Sequence, residues 1–539
     1  MSPDIHRALV RPVRTVVCHR RPSRARRVVL LLLALPLLAC VESSEPNVLA
    51  VNDETGRLFA RAYSQVMEYY IEPMSARDAA LPALQRLTTI DPDITLTTTA
   101  DDIELSDARV VVERVSLSPE RDTRAWGAIT STLLHSAKAH SAKLAQLSDD
   151  SIEQTMFGGL TSRLDRFSRY ASPDAAREQR AAREGFEGIG ITLEYADDEV
   201  RVTAIVPNSP AEREGIMIDD RLVAIEGVPT ANLTRADVVQ RLRGPAGSRV
   251  EMALARAGQK DPLKKSVARA YISVPTVTGW HDNAIAVIRI SSFNQHTTDS
   301  LREEFGKLRK EMRGALRGVI LDMRGNPGGL LDQSVSVAGL FMNNGRIVST
   351  RGRNPGSLQI FDATTADIAG GLPMAVLING GSASAAEIVA AALQDSGRAI
   401  VVGSASFGKG TVQTVLRLPN DGELTLTWAR LITPAGYILH EHGVVPNVCT
   451  SGANDDEQSI ATIIKQSAAI DVGGLRPRVT LDEPGWSQLR GTCPTQTGDH
   501  KIEVETAKRL LADPALYAHI IHVEPPSVAA MTTARHVTE

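Results

Sequence analysis

A serine flanked by small residues stands where an apolar strand leads into a helix. The segment NGGSASAAEIVAAALQD, residues 379–395, follows the apolar run PMAVLI and supplies two glycines and then helix-forming alanines. Ser384 therefore falls at or near a helix N-terminus, where free backbone N–H groups and the helix dipole favour negative charge. A serine there can attack a carbonyl while the N–H of Ala385 stabilises the developing oxyanion. The competing interpretation is a serine N-cap at Ser382 or Ser384, the commoner use of such a residue.

A lysine and a third glycine-rich turn follow two further apolar segments. Lys409 lies in VVGSASFGKGTVQ, and Gly328 and Gly329 lie in LDMRGNPGG. A buried lysine loses its proton more easily than an exposed one and can then act as the general base for a serine. The two glycines can point N–H groups at the same oxyanion. Each turn alone is best explained as structural, but three of them at successive strand ends favour a catalytic site.

Strand-like and helix-like segments alternate over residues 276–450. The runs IAVIRISSF, GVILDM, PMAVLI and AIVVGS are typical of buried strands, whereas TTDSLREEFGKLRKEMRG and LLDQSVSVAGLFM have helical spacing. This order predicts an α/β layered core that positions the three turns at its strand ends.

A separate compact unit is predicted over residues 183–257. The segments GFEGIGITLEY, VRVTAIVPNSPAEREGI, DRLVAIEGVPT and RVEMALAR indicate strands, and LTRADVVQRLRG indicates a helix that opens with a Thr-x-x-Asp capping box. The order of these elements resembles a PDZ domain. The resemblance implies that Gly188, Ile189, Gly190 and Ile191 form the loop that binds a peptide carboxylate, while the ligand adds a strand to the sheet.

Over roughly residues 155–450 the chain resembles the carboxyl-terminal processing peptidases, also called tail-specific proteases. The resemblance rests on LDRFSRYASP, the PDZ-like unit, GVILDMRGNPGGLL, VLINGGSASAAEIVAAALQD, SFGKGTVQ and TPAGYILHEHGVVPNV, in that order. It implies an α/β multidomain serine endopeptidase. Its crotonase-like layered core would carry an inserted PDZ-like domain and follow a largely helical N-terminal region.

The same resemblance implies the catalytic roles and the partners. Ser384 and Lys409 would form a serine–lysine dyad, with Gln413 as the helper glutamine, and the oxyanion donors would be the backbone of Ala385 and of Gly328 or Gly329. No metal, nucleotide or redox cofactor is implied. The partners would be protein or peptide substrates with apolar C-termini, together with an adaptor or activator protein.

The first forty residues predict export. A basic stretch precedes the uncharged run VVLLLLALPLLA, which is short for a membrane span and is typical of a secretory signal over residues 1–39. The run ends in LLAC, which resembles a lipoprotein box with Cys40 as the lipidated residue. A simple signal peptide with an incidental cysteine is the alternative. With residues 40–57 as a polar tether, these features predict a periplasmic protein anchored to the membrane through Cys40.

The remaining boundaries follow from changes in pattern. Residues 58–182 are predicted to be helical with a small β insert, residues 258–450 to be the protease core, and residues 451–539 to be a C-terminal region with one evident helix, IEVETAKRLLADPALY. Cys449 and Cys493 are an even pair in an exported chain, and they either form a disulfide or are two buried thiols. The formal net charge of −4, with no basic block after the N-terminus, argues against nucleic-acid binding.

Three other functions compete with the peptidase interpretation. Ser406 and Lys409 formally make an S-x-x-K motif, but a glycine interrupts the helix that this motif needs. His440 and His442 have the strand spacing of two metal ligands, but no third ligand or H-E-x-x-H motif accompanies them. A catalytically silent scaffold that binds protein tails through the PDZ-like unit is the third alternative. The presence of both Ser384 and Lys409 argues against it.

Overall fold

The computed structural model describes residues 53–196, 199–468 and 481–521. The predicted signal over residues 1–39 and the lipidation site Cys40 lie outside these ranges. Within them, no helix is both long enough and apolar enough to cross a membrane.

The N-terminal region combines helices with a three-stranded antiparallel sheet. Its first helix begins at Glu54, inside the predicted tether of residues 40–57, because Asp53 caps it and accepts a hydrogen bond from the Gly56 N–H (2.6 Å). The predicted end of the tether is therefore wrong. The elements are α1 (Glu54–Tyr69), α2 (Ala76–Gln85), α3 (Leu87–Ile90), β1 (Ile94–Thr98), β2 (Asp102–Asp107), β3 (Val110–Ser116), α4 (Thr123–His140), α5 (Ala142–Gln146), α6 (Asp149–Thr161), β4 (Arg169–Ala171) and α7 (Pro173–Glu184).

The PDZ-like unit is an antiparallel sheet that faces one helix. Its elements are β5 (Phe186–Gly188), β6 (Ile191–Ala196), β7 (Glu199–Ile205), α8 (Pro210–Arg213), β8 (Arg221–Ile225), β9 (Val228–Pro229), a 3₁₀ turn (Thr230–Asn232), α9 (Arg235–Leu242), β10 (Arg249–Ala255), β11 (Leu263–Ala268) and β12 (Ala270–Ile272). The strand order is β11-β10-β8-β7-β6, with β9 on β8 and β12 paired with β5. The sheet thus continues past the predicted boundary at residue 257. The last long strand, β11, was not predicted because its sequence LKKSVA is largely polar, and an edge strand tolerates polar side chains.

The core sheet has the order β13-β14-β15-β18-β19-β22, parallel except for β13. Its strands read GVILD, MAVLI and IVVG without a polar alternation, as expected of a parallel sheet covered on both faces. Alternate side chains of these strands contribute to two different hydrophobic clusters, one on each face. The elements are β13 (Val277–Asp282), β14 (Ile285–Ile290), α10 (Thr297–Glu311), β15 (Gly318–Asp322), α11 (Leu331–Gly339), β18 (Met374–Ile378), α12 (Ala385–Asp395), β19 (Ile400–Gly403) and β22 (Val448–Cys449).

A second, antiparallel sheet lies beside this core. Its order is β17-β16-β21-β20, and β4 of the N-terminal region pairs with β21. Leu424 and Leu426 of β21 pack into the apolar cluster of the N-terminal helices. The elements are β16 (Arg346–Arg351), a 3₁₀ turn (Pro355–Ser357), β17 (Gln359–Asp362), β20 (Thr411–Arg417) and β21 (Glu423–Ile432).

Within residues 451–468 and 481–521, the described part of the C-terminal region, there are four helices, where the sequence pattern indicated one. They are α13 (Glu457–Ala468), α14 (Glu483–Gly491), α15 (Lys501–Ala512) and α16 (Pro514–Ile521). Ile460, Ile463 and Leu510 from these helices pack against the second face of the core sheet. The single-helix prediction is therefore wrong, because short helices with polar outer faces leave a weak periodic signal.

Candidate active site

The nucleophile turn joins β18 to α12. Ser384 is the last residue before the helix and has φ +54° and ψ −112°, a backbone conformation that non-glycine residues rarely adopt. Ser382 is fully buried, and its hydroxyl donates to the Met323 carbonyl (2.8 Å) and accepts from the Asn379 N–H (3.0 Å). Ser382 therefore holds the turn, while Ser384 faces the cavity.

The oxyanion donors predicted from the glycine turn differ in their surroundings. The Gly328 N–H donates to the Asn326 side-chain oxygen (2.9 Å), so it is already used inside the turn. Gly329 lines the cavity together with Ala385, and among the described residues neither of their N–H groups has a protein acceptor. A Cβ added at Gly328 would lie 2.8 Å from the Cβ of Ser384, so the two turns are in close contact. The geometry favours Gly329 and Ala385 as the donor pair.

Lys409 lies across the same cavity, in the turn before β20. Burial lowers the pKa of its ammonium group, and the positive charge of Arg169 lowers it further; Glu387 and Asp165 act in the opposite direction. The Lys409 Nζ lies 5.1 Å from the centre of the Phe167 ring. A half-buried lysine of lowered pKa is suited to act as a general base.

A buried carboxylate connects the serine and lysine turns. Glu387, in the first turn of α12, is fully buried. It accepts hydrogen bonds from the N–H groups of Ser384 (2.7 Å), Gly408 (2.7 Å) and Lys409 (2.9 Å), and from the hydroxyl of Ser406. Burial raises the pKa of Glu387, and these hydrogen bonds oppose the rise. Sequence reasoning missed this residue, although its spacing of three from Ser384 is that of a capping box.

Gln413 lines the cavity but is hydrogen-bonded within its own sheet. Its side-chain nitrogen donates to the hydroxyl groups of Thr411 (2.8 Å) and Thr427 (3.2 Å). A register shift in the β20–β21 pairing falls between Val412 and Gln413, as bulges next to functional sites often do. The helper role of Gln413 stays a prediction.

The cavity has a volume of about 260 Å³. Polar side chains line part of it, and the remainder is largely apolar; the polar ones are Ser384, Lys409, Gln413, Arg169, Arg183, Thr411 and Thr425. Two side chains of the segment LDRFSRY also contribute to this site: Phe167 contacts Lys409, and Arg169 lines the cavity. The sequence pattern did not predict these two positions.

The predicted carboxylate-binding loop of the PDZ-like unit lines a groove of about 440 Å³. Gly188, Ile189, Gly190 and Ile191 all contribute, and α9 forms the facing wall. Apolar side chains dominate the lining. The N-terminal helix α7 contributes to it as well, and Glu178 of α7 forms a salt bridge with Arg235 of α9 (3.0 Å).

The competing motifs occupy other positions. Ser406 is fully buried and bonds to Glu387 and to the Val444 N–H (2.8 Å), away from the cavity wall. His442 donates to the Ile438 carbonyl (2.7 Å) and stacks on Trp486, whereas His440 packs edge-on against a phenylalanine. Across the part of the chain that the structure describes, no group of three or more His, Cys, Asp and Glu residues is arranged to hold a metal ion.

The two C-terminal cysteines are bonded to each other. Cys449, in β22, and Cys493, just after α14, form a disulfide with Cα atoms 5.7 Å apart. The structure thus contains the first of the two alternatives that the sequence left open.

Comparisons with known proteins agree with this architecture. Residues 284–450 match the model of peptidase family S41, and residues 201–256 match a PDZ-domain model. A carboxy-terminal-processing protease of Bartonella bacilliformis is 36% identical over 302 residues, which are 56% of this chain and 70% of that protein. The carboxy-terminal processing protease CtpA of Bacillus subtilis is 34% identical, over 56% of this chain and 64% of its own length. Among solved structures, a photosystem II D1 C-terminal processing protease is similar at 24% identity, covering 73% of this chain and 92% of the other, with a TM-score of 0.37.

These matches define a serine-type peptidase that carries a PDZ domain. The chain belongs to the carboxy-terminal processing proteases of peptidase family S41, and the resemblance found in the sequence is confirmed.

Proposed function

We propose that the protein is an exported serine endopeptidase in which Ser384 is the nucleophile and Lys409 is the general base. The observation that carries this proposal is that both side chains line one cavity together with Ala385 and Gly329. The strained backbone of Ser384 at the head of α12 supports the role of nucleophile, since strain of this kind gathers at reactive positions.

In the proposed acylation step, Lys409 acts first as a base and then as an acid. Neutral Lys409 takes the hydroxyl proton of Ser384 as its oxygen attacks the scissile carbonyl carbon. The negative charge that develops on the carbonyl oxygen is stabilised by the N–H groups of Ala385 and Gly329. The ammonium group of Lys409 then returns its proton to the leaving amine, the C–N bond breaks, and an acyl-enzyme ester remains on Ser384.

Deacylation repeats the sequence with water as the nucleophile. Lys409 accepts a proton from the water that attacks the ester, and the proton returns to the Ser384 oxygen as the ester bond breaks. The products are a new C-terminal carboxylate and the free enzyme. Every step uses groups of this chain and water.

We propose further that the PDZ-like unit binds the apolar C-termini of substrate proteins. The largely apolar lining of the groove and the glycine loop at Gly188 and Gly190 support this, because successive N–H groups in such a loop bind a carboxylate. The apolar wall would bind the side chains just before the carboxylate.

Export and anchoring belong to the same proposal. The signal-like first 39 residues support export, and the Cys449–Cys493 disulfide supports an oxidising compartment. We place the protein in the periplasm, held to the membrane through lipid on Cys40. Radiolabelled palmitate should label the full chain in cells and should not label a Cys40→Ala variant; labelling of both would contradict the anchor.

The test of the peptidase proposal uses residues 41–539 with an unstructured protein that ends in apolar residues. Ser384→Ala and Lys409→Ala should abolish cleavage, and Ser406→Ala should retain it, because Ser406 lies outside the cavity. Tight binding of the substrate tail by the unsubstituted protein without any cleavage would indicate the silent scaffold instead.

A further inference from the structure

A short C-terminal segment touches all three glycine-rich turns of the candidate active site. We define this segment, Arg490–Glu503, as the C-terminal brace. It begins in the last turn of α14 and ends in the first turn of α15. It contacts the three turns near the ends of the strands that precede them, and it does so through hydrogen bonds.

The brace bonds to all three turns, and its residues contact them in the reverse of the order in which the turns occur in the chain. In the oxyanion turn, Arg324 donates to the His500 carbonyl (2.7 Å) and to the Glu503 carboxylate (2.8 Å). In the nucleophile turn, the Gly380 N–H donates to the Gln496 carbonyl (2.7 Å), and the Asn379 side-chain nitrogen donates to the Gly498 carbonyl (2.8 Å).

Arg490 provides the contact with the lysine turn. Its guanidinium group donates to the backbone carbonyls of Ser406 (3.0 Å) and His442. Ser406 stands three residues before Lys409 and bonds to Glu387, so Arg490 reaches the lysine turn from the side opposite the cavity. A Cβ added at Gly443 would lie 2.6 Å from the Arg490 guanidinium, 2.8 Å from the Ser406 hydroxyl and 3.2 Å from the Glu387 carboxylate, which shows how closely these groups are packed.

The disulfide fixes the brace to the core sheet. Cys493 is three residues after Arg490, and its partner Cys449 pairs in β22 with Gly403, the last residue of the strand that leads into the lysine turn. The bond therefore links the Arg490 end of the brace to the strand that precedes Lys409.

We propose that Arg490 is a positioning residue for Lys409, and that the Cys449–Cys493 disulfide keeps Arg490 in register with the lysine turn. The catalytic part of this inference rests on the proposed Ser384–Lys409 peptidase. The structural part, that Arg490 orders the turn, stands independently of it.

The first experiment compares Arg490→Met with Arg509→Met in proteolysis. Arg509 is a matched control, because it lies in the same C-terminal region and pairs with Glu457 on the surface, away from the three turns. Arg490→Met should lower kcat about tenfold with little change in KM, since misplacing a base by a fraction of an ångström lowers the rate rather than substrate binding. Arg490→Lys should recover part of the loss. Equal kcat for Arg490→Met and Arg509→Met would overturn the proposal.

The second experiment does not depend on catalysis. Hydrogen–deuterium exchange measured on the Ser384→Ala protein should show faster exchange at residues 404–410 when Arg490→Met is added, and no change with Arg509→Met. Unchanged exchange in this turn would overturn the proposal even if kcat falls. If the unsubstituted enzyme cleaves nothing, the proposed function fails, and exchange still decides whether Arg490 orders the turn.

Removing the disulfide tests whether it keeps Arg490 in register with the lysine turn. The Cys449→Ser, Cys493→Ser double variant should show the same faster exchange at residues 404–410 and a fall in kcat at a temperature where the variant remains folded by circular dichroism. A folded double variant with unchanged exchange and kcat would show that the disulfide does not hold Arg490 in place, and would overturn that part.

Discussion

At the scale of single residues, the site depends on environments that the residue types alone do not supply. Lys409 is suited to be a base only because burial and Arg169 lower the pKa of its ammonium group. Ser384 has an unusual backbone conformation at the start of α12, where its N–H donates to the buried Glu387 carboxylate. Both effects are testable through substitutions that leave the dyad itself intact.

The pH dependence follows from the direction of the lysine shift. Protonated Lys409 is no base, so kcat/KM should be low in acid and should rise as pH passes through the lowered lysine pKa. Arg169→Gln removes a repelling positive charge, which raises that pKa and moves the rising limb to higher pH. The measurement is kcat/KM against pH for both proteins.

The control for this shift is Arg180→Gln, which removes a nearby arginine that pairs instead with Glu423. Its pH profile should match that of the unsubstituted enzyme. If the rising part of the kcat/KM–pH profile of Arg169→Gln stays in place or moves to lower pH, Lys409 is not the titrating base.

Glu387→Gln should destabilise the protein and the site together. A glutamine has one acceptor oxygen where the carboxylate accepts from four donors, so two buried donors lose their partner at a cost of about 3 kcal/mol in the free energy of unfolding. Urea denaturation measures the stability. Ser406→Ala removes one of these donors and should cost less; equal midpoints for Glu387→Gln and the unsubstituted protein would refute the linking role.

At the scale of elements, α7 connects the PDZ-like groove with the candidate active-site cavity. Glu178 on this helix forms part of the groove, whereas Arg180 and Arg183 pair with Glu423 of β21, and Arg183 also lines the cavity. One helix therefore contacts both the groove and the cavity, and it does so through opposite parts of its surface.

Peptide binding in the PDZ-like groove can be tested by introducing one negative charge into its wall. Val239 of α9 lines the groove, and Val239→Asp should weaken binding of a peptide with an apolar C-terminus, because the new carboxylate repels the ligand carboxylate and makes the wall polar. Fluorescence anisotropy with the Ser384→Ala protein measures the affinity. Gln240→Asp adds the same charge at the exposed neighbouring position and should leave the affinity unchanged, and equal weakening by both would argue against this groove as the binding site.

The packing of the N-terminal helices predicts opposite effects on stability for two glycine-to-alanine substitutions. A Cβ at Gly127 of α4 would lie 2.5 Å from the Gly56 carbonyl of α1, whereas a Cβ at Gly158 of α6 meets nothing within 4 Å. Gly127→Ala should therefore destabilise the fold by about 1–3 kcal/mol. Gly158→Ala should stabilise it by up to about 1 kcal/mol, because alanine favours a helix. Thermal unfolding of both variants checks the pair, and a stabilising Gly127→Ala would contradict this packing.

At the scale of the whole molecule, the parts of the fold predicted from sequence are those with strong local signals. Buried parallel strands are continuous apolar runs, so the core sheet and the positions of its three turns could be predicted, and the carboxyl ends of such strands are where a site is expected. The α/β multidomain architecture with a PDZ-like unit is confirmed.

The remainder depends on long-range contacts that the sequence does not display. Glu387 has the spacing of an ordinary capping residue, and only the folded chain brings Gly408 and Lys409 to its carboxylate. The brace at residues 490–503 has no regular period, so nothing in its sequence indicated that it contacts all three turns. The disulfide three residues after Arg490 was one of two alternatives that the sequence left open.

The Ser384–Lys409 dyad is best tested by labelling the purified protein with a fluorophosphonate, followed by mass spectrometry of its peptides. We expect one adduct, on Ser384. It should be absent from Ser384→Ala, form much more slowly in Lys409→Ala and be retained in Ser406→Ala. An adduct on another serine, or labelling of Ser384 at the same rate without Lys409, would contradict the dyad.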